Sequence, residues 1–285
     1  MPVLLLLWFR LIEAASAAEP GWVVDDVSFE ISRERIAHRG SVLRPKHVGK
    51  GLLPVVYLFG GFEEAARVLD LIHPKRPIAV ASFDYPFHAP RRFEFLKSFG
   101  QITEARRAIE LTLEGIPAFH AEIAKKYPWI DPARVVIAGA SFGAPFAVRA
   151  AAESDVFRGL VVVHGFGQIR STVAHVIHKS WKRKMHPLLA APMSWLAATA
   201  VSIVLPVPDI EADAEKLRPG QRVLALEALD DQFVPEPARR SLERSLKRSQ
   251  ARVEWVGLPG DHLQPGSGAL IDDLIQRVSS WIDRL

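Results

Sequence analysis

Five short apolar runs constrain this chain more than any other feature: LLPVVYLF at 52–59, PIAVASF at 77–83, RVVIA at 134–138, FRGLVVVH at 157–164 and QRVLALEA at 221–228. Each is too short for a typical globular helix and too continuous for a strand with one wet face. Helical patterns lie between them, at 63–72, 102–126, 142–153 and 235–248, with a last strand at 252–257 and a closing helix at 269–285. His73-Pro74 and Tyr127-Pro128 stop the first two helices, because the residue before a proline leaves the helical region. Strands of this kind alternating with helices make a mostly parallel sheet covered on both faces. Residues 23–31 (VVDDVSFEI) and 36–43 alternate partly and read as an antiparallel pair at one edge, with Arg33-Glu34 near the turn. The fold class expected is therefore α/β.

The interval 167–219 breaks the rhythm. It carries helical pieces and no buried strand. In open α/β sheets ligands bind beyond the carboxyl ends of the strands, where an insertion forms a roof. The expected organisation is a core of residues 22–166 and 220–285 with a helical cap, or lid, at 167–219. A length of 285 residues fits one core domain with such an addition. Hydrophobic residues at 49% and charged residues at 24% exclude a disordered or collagen-like chain. With no cysteine there is no disulfide framework, no thiolate nucleophile and no Cys-based zinc site. A net charge of +4 is mild at this length and does not imply nucleic acid as a partner.

Two apolar stretches bear on membranes. Residues 3–9 (VLLLLWF) precede Ala15-Ser16-Ala17, an A-x-A-like cut site, but no basic residue leads the run. Residues 1–20 are read either as a signal peptide or as an N-terminal helix, which leaves exported, periplasmic and cytoplasmic locations open. Residues 187–208 contain no charge, and Pro192 and Pro206 bracket a helix-compatible piece, Met193 to Leu205. That piece falls short of the roughly 20 residues a spanning helix needs.

The sharpest chemical signal is Gly139-Ala140-Ser141-Phe142-Gly143, a G-x-S-x-G between the strand RVVIA and the helical stretch FGAPFAVRAAAE. A strand–turn–helix at such a string lifts a serine hydroxyl above the sheet edge, at the positive end of a helix. A serine hydroxyl becomes a nucleophile only when a base takes its proton, so a histidine is required nearby.

In this context the chain resembles the α/β-hydrolase superfamily, over about residues 22 to 285. Ile130-Asp131-Pro132-Ala133-Arg134-Val135-Val136-Ile137, leading into the serine, is similar to the esterase and peptidase branches that include dienelactone-hydrolase-like proteins. The resemblance implies a chain order of nucleophile, acid, histidine. Asp231 then fits the acid in Asp231-Gln232-Phe233-Val234-Pro235, with Asp230 the alternative if the register slips by one. His262, in Leu258-Pro259-Gly260-Asp261-His262, takes the family position of the base. The backbone N–H of Phe142 is the first oxyanion donor. The second comes from Phe59-Gly60-Gly61-Phe62, with Gly61 and Phe62 as alternatives. Family members often carry His-Gly-x here, and Phe59 stands in the histidine's place.

The other histidines lack this placement. His164 ends a strand, where it faces the pocket or is structural. His175 and His178 share one helical face with no acid beside them, too few ligands for zinc. No metal and no cofactor is expected. Arg170, Lys179, Lys182, Arg183 and Lys184 precede the uncharged stretch, a composition that suits either a helical lid with a basic edge or an element resting on an anionic membrane. Met193, Trp195 and Leu196 are expected to line an apolar substrate pocket. The resemblance implies a serine hydrolase acting on a small, lipid-like carboxylic ester. Thioesterase, acyltransferase and a non-catalytic binding protein on the same fold are the alternatives.

Overall fold

The computed structural model describes residues 21–33, 35–60, 65–70, 72–86, 99–182, 186–263 and 268–285. Residues 1–20, with the signal-peptide reading, and Gly61 and Phe62 lie outside them.

The strands are β1 (Trp22–Ile31), β2 (Ile36–Pro45), β3 (Leu53–Phe59), β4 (Ala79–Phe83), β5 (Ile130–Ala140), β6 (Gly159–Val163), β7 (Arg222–Ala228) and β8 (Arg252–Leu258). They form one sheet in the order β1-β2-β4-β3-β5-β6-β7-β8. β1 pairs antiparallel with β2, and β2 antiparallel with β4. Every later pairing is parallel. This is the sheet the apolar runs imply, with the alternating pair at the edge. The helices are α1 (Ala65–Asp70), α2 (Phe99–Lys126), α3 (Ala144–Glu153), α4 (Ile169–Trp181), α5 (Pro187–Val204), α6 (Ile210–Ala214), α7 (Glu236–Arg248) and α8 (Gly268–Ile282).

Successive strand residues feed two separate cores, which is why the runs are continuously apolar. Val135 and Ile137 of β5 pack on one face with Phe119 of α2 and Phe146 of α3. Val136 and Ala138 pack on the other with Leu69 of α1 and Trp281 of α8. The first face holds a cluster of aromatic rings, Phe29, Tyr57, Phe59, Phe83, Phe119 and Phe157, in edge contact at centroid separations from 5.1 Å to 6.0 Å. Edge-to-face geometry is the favoured arrangement of such rings.

From β3 the chain passes to β4 on one side, then crosses back to β5 on the other. The reversal opens a crevice above the carboxyl ends of β3 and β5, where α/β sheets bind their ligands. β5 begins earlier than the apolar run indicated. Leu53 pairs with Ile130, but Val55 already pairs with Val135, so the extra residues of β5 bulge at Asp131-Pro132. Asp131 steadies the bulge by accepting from the Ala133 N–H and from Arg134 Nε.

Three helices fill the interval between β6 and β7. α5 begins at Pro187 and runs through Pro192, so the expected break at that proline does not occur. Pro192 lies early in the helix on its exposed side, and its ring forfeits one backbone bond without ending the helix. α4 packs against α5, and α6 returns to the core against α3 and α7. Asp209 caps α6 by accepting the N–H groups of Glu211 and Ala212, both at 3.1 Å. Among the described residues no helix is long and apolar enough to cross a membrane.

Candidate active site

Ser141 follows β5 directly, with φ at 51°. It opens a single 3₁₀ turn, Ser141–Gly143, that leads into α3. The left-handed conformation is unfavourable for a side-chain-bearing residue and is imposed by the tightness of the turn. The two flanking glycines show how tight it is. A Cβ on Gly139 would stand 2.5 Å from the Gly143 carbonyl oxygen and 2.6 Å from the Ala144 Cα. A Cβ on Gly143 would collide with the Phe59 carbonyl at the end of β3. The motif's glycines therefore allow β3, β5 and α3 to converge.

His262 lies just beyond β8, in the loop after Leu258. Its Nε2 is 2.9 Å from Ser141 Oγ, and its Nδ1 is 2.7 Å from Asp231 Oδ2. An ionised carboxylate only accepts, so His262 Nδ1–H donates to Asp231 and Nε2 is left to accept from the serine hydroxyl. Asp231's other oxygen accepts the N–H groups of Phe233 and Val234, both at 2.8 Å. Burial pushes the Asp231 carboxyl up, but the His262 hydrogen bond and charge and the two backbone N–H groups outweigh it and hold the carboxyl below its ordinary value. Asp230 points elsewhere and accepts the Gly260 N–H at 3.1 Å. Of the two candidate acids, only Asp231 faces His262.

The loops bearing these groups are tied together. Asp261 Oδ1 accepts the N–H of Gln232 at 2.8 Å and that of His262 at 2.7 Å. Glu227, buried at the end of β7, accepts from Arg239 at 2.8 Å and from the Trp255 indole at 2.6 Å. That ion pair pins α7 to β7 and β8 below the Asp231 loop.

His164 completes the surroundings. It directly follows β6, is buried, and has φ at 49°. Its Nδ1 accepts the Leu263 N–H at 3.1 Å, beside His262, and the two imidazole rings lie 5.3 Å apart. The ring proton is then on Nε2, which is buried without a hydrogen-bond partner among the described residues. Burial, reinforced by the His262 charge and partly opposed by Asp231 and Asp261, pushes His164 down to about 4, so its ring stays neutral at pH 7. Ligand atoms of His164, Asp231 and His262 all lie within 4.8 Å of one another. A metal there would have to replace the proton between His262 and Asp231, so the donor set is already committed. His175 and His178 are not part of any such group among the described residues.

Not every expected residue joins this centre. Phe142 does, as the first residue after Ser141, with its ring 5.6 Å from Phe146 in the core. Gly61 and Phe62 lie outside the described residues, and the adjoining Gly60 carbonyl accepts from the Tyr85 hydroxyl at 2.9 Å. Met193, Trp195 and Leu196 sit on the solvent-exposed side of α5, and no described contact brings them to Ser141. Instead Phe233 lies beside His262 at 5.7 Å, with the Lys179 ammonium over its ring. Sequence reasoning gave no site role to Phe233, Lys179, Tyr85 or Asp261, although Lys179 was counted in the basic run and Asp261 directly precedes His262. Phe233 was nonetheless inside the D-x-x-V-P string.

Residues 112–285 match the model of the prolyl oligopeptidase family, which is more than half of the chain. The chain belongs to that family. No match was found among curated proteins. Solved structures agree with this chain in fold. Pyrococcus horikoshii acylaminoacyl peptidase superposes with a TM-score of 0.61 at 15% identity over 92% of this chain. The chain spans only 41% of that protein's length. An esterase of Pyrococcus furiosus superposes with a TM-score of 0.64 at 14% identity, covering 92% of this chain and 91% of its own. One of two Rhizomucor miehei esterases gives 0.57 at 14% identity, covering 93% and 85%. This prolyl oligopeptidase family member thus has the α/β-hydrolase fold that the strand pattern and the serine turn implied.

Proposed function

We propose that this family member hydrolyses carboxylic esters through Ser141, His262 and Asp231. The observation that carries the reading is the hydrogen-bonded chain from Ser141 Oγ through the His262 ring to Asp231. In the proposed reaction His262 Nε2 takes the proton as Ser141 Oγ attacks the ester carbonyl. The Phe142 N–H and a second donor from the loop after β3, at Gly61 or Phe62, hold the oxyanion. His262 then gives its proton to the departing alcohol. A water molecule, deprotonated by His262, releases the acid from Ser141. Asp231 keeps the imidazole in the required tautomer and stabilises its charged form.

An amide is the competing substrate, since the family and one structural neighbour are peptidases by name. Mutual coverage favours the ester. The Pyrococcus furiosus esterase and this chain overlap nearly end to end, whereas the peptidase is more than twice the length. Turnover of p-nitrophenyl esters over a series of acyl lengths, beside aminoacyl p-nitroanilides, tests the reading. The expected result is ester cleavage that falls at least about 10³-fold in Ser141→Ala. Preferred cleavage of the anilides, with the same loss in the variant, would replace the ester by an amide. Ester cleavage unaffected by the variant would refute the assignment of Ser141.

A further inference from the structure

We propose that the outer face of α5 is a docking surface for an anionic lipid membrane. This does not rest on the hydrolase reading and concerns a different part of the molecule.

The helix is built inside out. Its buried positions are Ala190, Ser194 and Ala198, one turn apart, and these small residues pack towards α4 and the core. Its largest apolar residues face away, and among the described residues only Val201 and Val204 at its end pack on the core. Leu188 is 80% exposed, Leu196 62% and Ile203 76%. Steps of eight and seven residues, about two turns each, place all three on one side of the helix, with Leu189 and Met193 beside them. A surface helix normally does the opposite, burying its large residues and showing charge to water. A contiguous apolar face of this kind marks an interaction site rather than scattered exposure.

The polar atoms of α5 agree. The hydroxyls of Ser194, Thr199 and Ser202 each bond back to the carbonyl one turn earlier, at Ala190, Trp195 and Ala198. Side chains that satisfy themselves on their own helix present little to water, which is how such residues behave in an apolar medium.

Charge selects the partner. From Ile169 to Val204 the sequence has Arg170, Lys179, Lys182, Arg183 and Lys184 and no acidic residue. Arg170 stacks on exposed Trp195, its guanidinium 5.8 Å from the ring centre, so basic charge borders the apolar face directly. A second copy of this chain would bring the same positive charge to a two-fold contact. Anionic headgroups over an apolar layer complement both features. α5 is not long and apolar enough to cross, so it would lie in the plane of the surface.

Co-sedimentation of the full chain with vesicles of phosphatidylcholine, with and without phosphatidylglycerol, tests this. Binding is expected to the anionic vesicles at low salt and to weaken at high salt. Leu188→Gln/Leu196→Gln/Ile203→Gln is expected to lose binding, and Arg170→Gln/Lys182→Gln to weaken it about fivefold per charge removed. All five positions are exposed, and unchanged thermal melting of each variant separates lost docking from lost fold. Wild-type protein that stays in the supernatant with both vesicle types at low salt overturns the proposal. So does a triple variant that binds as well as wild type. So too does sedimentation velocity showing a wild-type dimer that the triple variant dissolves, which would assign the face to a second copy.

Discussion

Ser141 and His164 both hold left-handed backbone at the ends of adjacent strands, and both face His262. For L residues that conformation costs about 1–2 kcal/mol. Ser141→Gly and Ser141→Ala both remove the hydroxyl, but only glycine relieves the backbone. The glycine variant should unfold at higher denaturant than the alanine variant, by about 1 kcal/mol. Equal stabilities would mean that the turn is not strained. His164 makes a different prediction. Its folded value of about 4 lies below the ordinary 6.5, so between those pH values the unfolded chain binds a proton that the folded chain does not. The stabilising contribution is complete above about pH 6.5 and is lost as pH falls to about 4, a change of order 3 kcal/mol. His164→Asn tolerates the backbone and still offers an acceptor to the Leu263 N–H, but does not titrate. Urea midpoints measured between pH 7 and pH 4.5 should fall less steeply in the variant than in wild type. The meeting of Ser141, Asp231 and His262 was legible because each stands in a recognisable string just after a strand. His164 was named, but its contact to Leu263 spans 99 residues, and no local pattern encodes it.

At the scale of elements, α3 carries the serine turn, and a buried ion pair secures it. Arg149 Nε donates to Asp213 of α6 at 2.5 Å, and Lys216 adds a second bond to the same carboxylate at 3.1 Å. Asp213 is almost wholly buried, and removing it leaves the partly enclosed Arg149 guanidinium with Glu153 as its remaining acidic partner. Asp213→Ala is expected to cost about 1.5–3 kcal/mol in chemical denaturation, whereas Lys216→Ala, at an exposed end, should cost under about 1 kcal/mol. Elements with one clear period were legible: the buried strands and the long α2. Two were not. β5 was read as starting at Arg134, because Asp131-Pro132 signals a loop, and the bulge shows that the signal was locally right within a strand that continues past it. α5 was read as starting at Met193, because a proline usually ends a helix, but here only one exposed backbone bond is lost. No described contact joins Met193, Trp195 and Leu196 to Ser141, and their exposure has a related reason. An apolar helix has no moment to show which side is buried, and here the small residues took the inner side.

The whole molecule places its candidate chemistry along one edge of the sheet. Ser141 follows β5, His164 follows β6, Asp231 follows β7 and His262 follows β8. The fold class was legible because continuous apolar runs and intervening helices permit few topologies. The strand order was not written in any single run, since it depends on which strands meet across the crossover from β4 to β5. That wide spacing also has a kinetic consequence. The serine and histidine are 121 residues apart, and the parallel pairings β5·β6, β6·β7 and β7·β8 must all form before they meet. Pairings between distant segments close late, because loop entropy is lost before the contacts repay it. In refolding from urea, ester turnover should therefore return with the slowest phase, after far-ultraviolet circular dichroism has already recovered its helical signal. Turnover that returned with the earliest phase would mean that the carboxyl edge assembles first and the rest of the sheet grows from it.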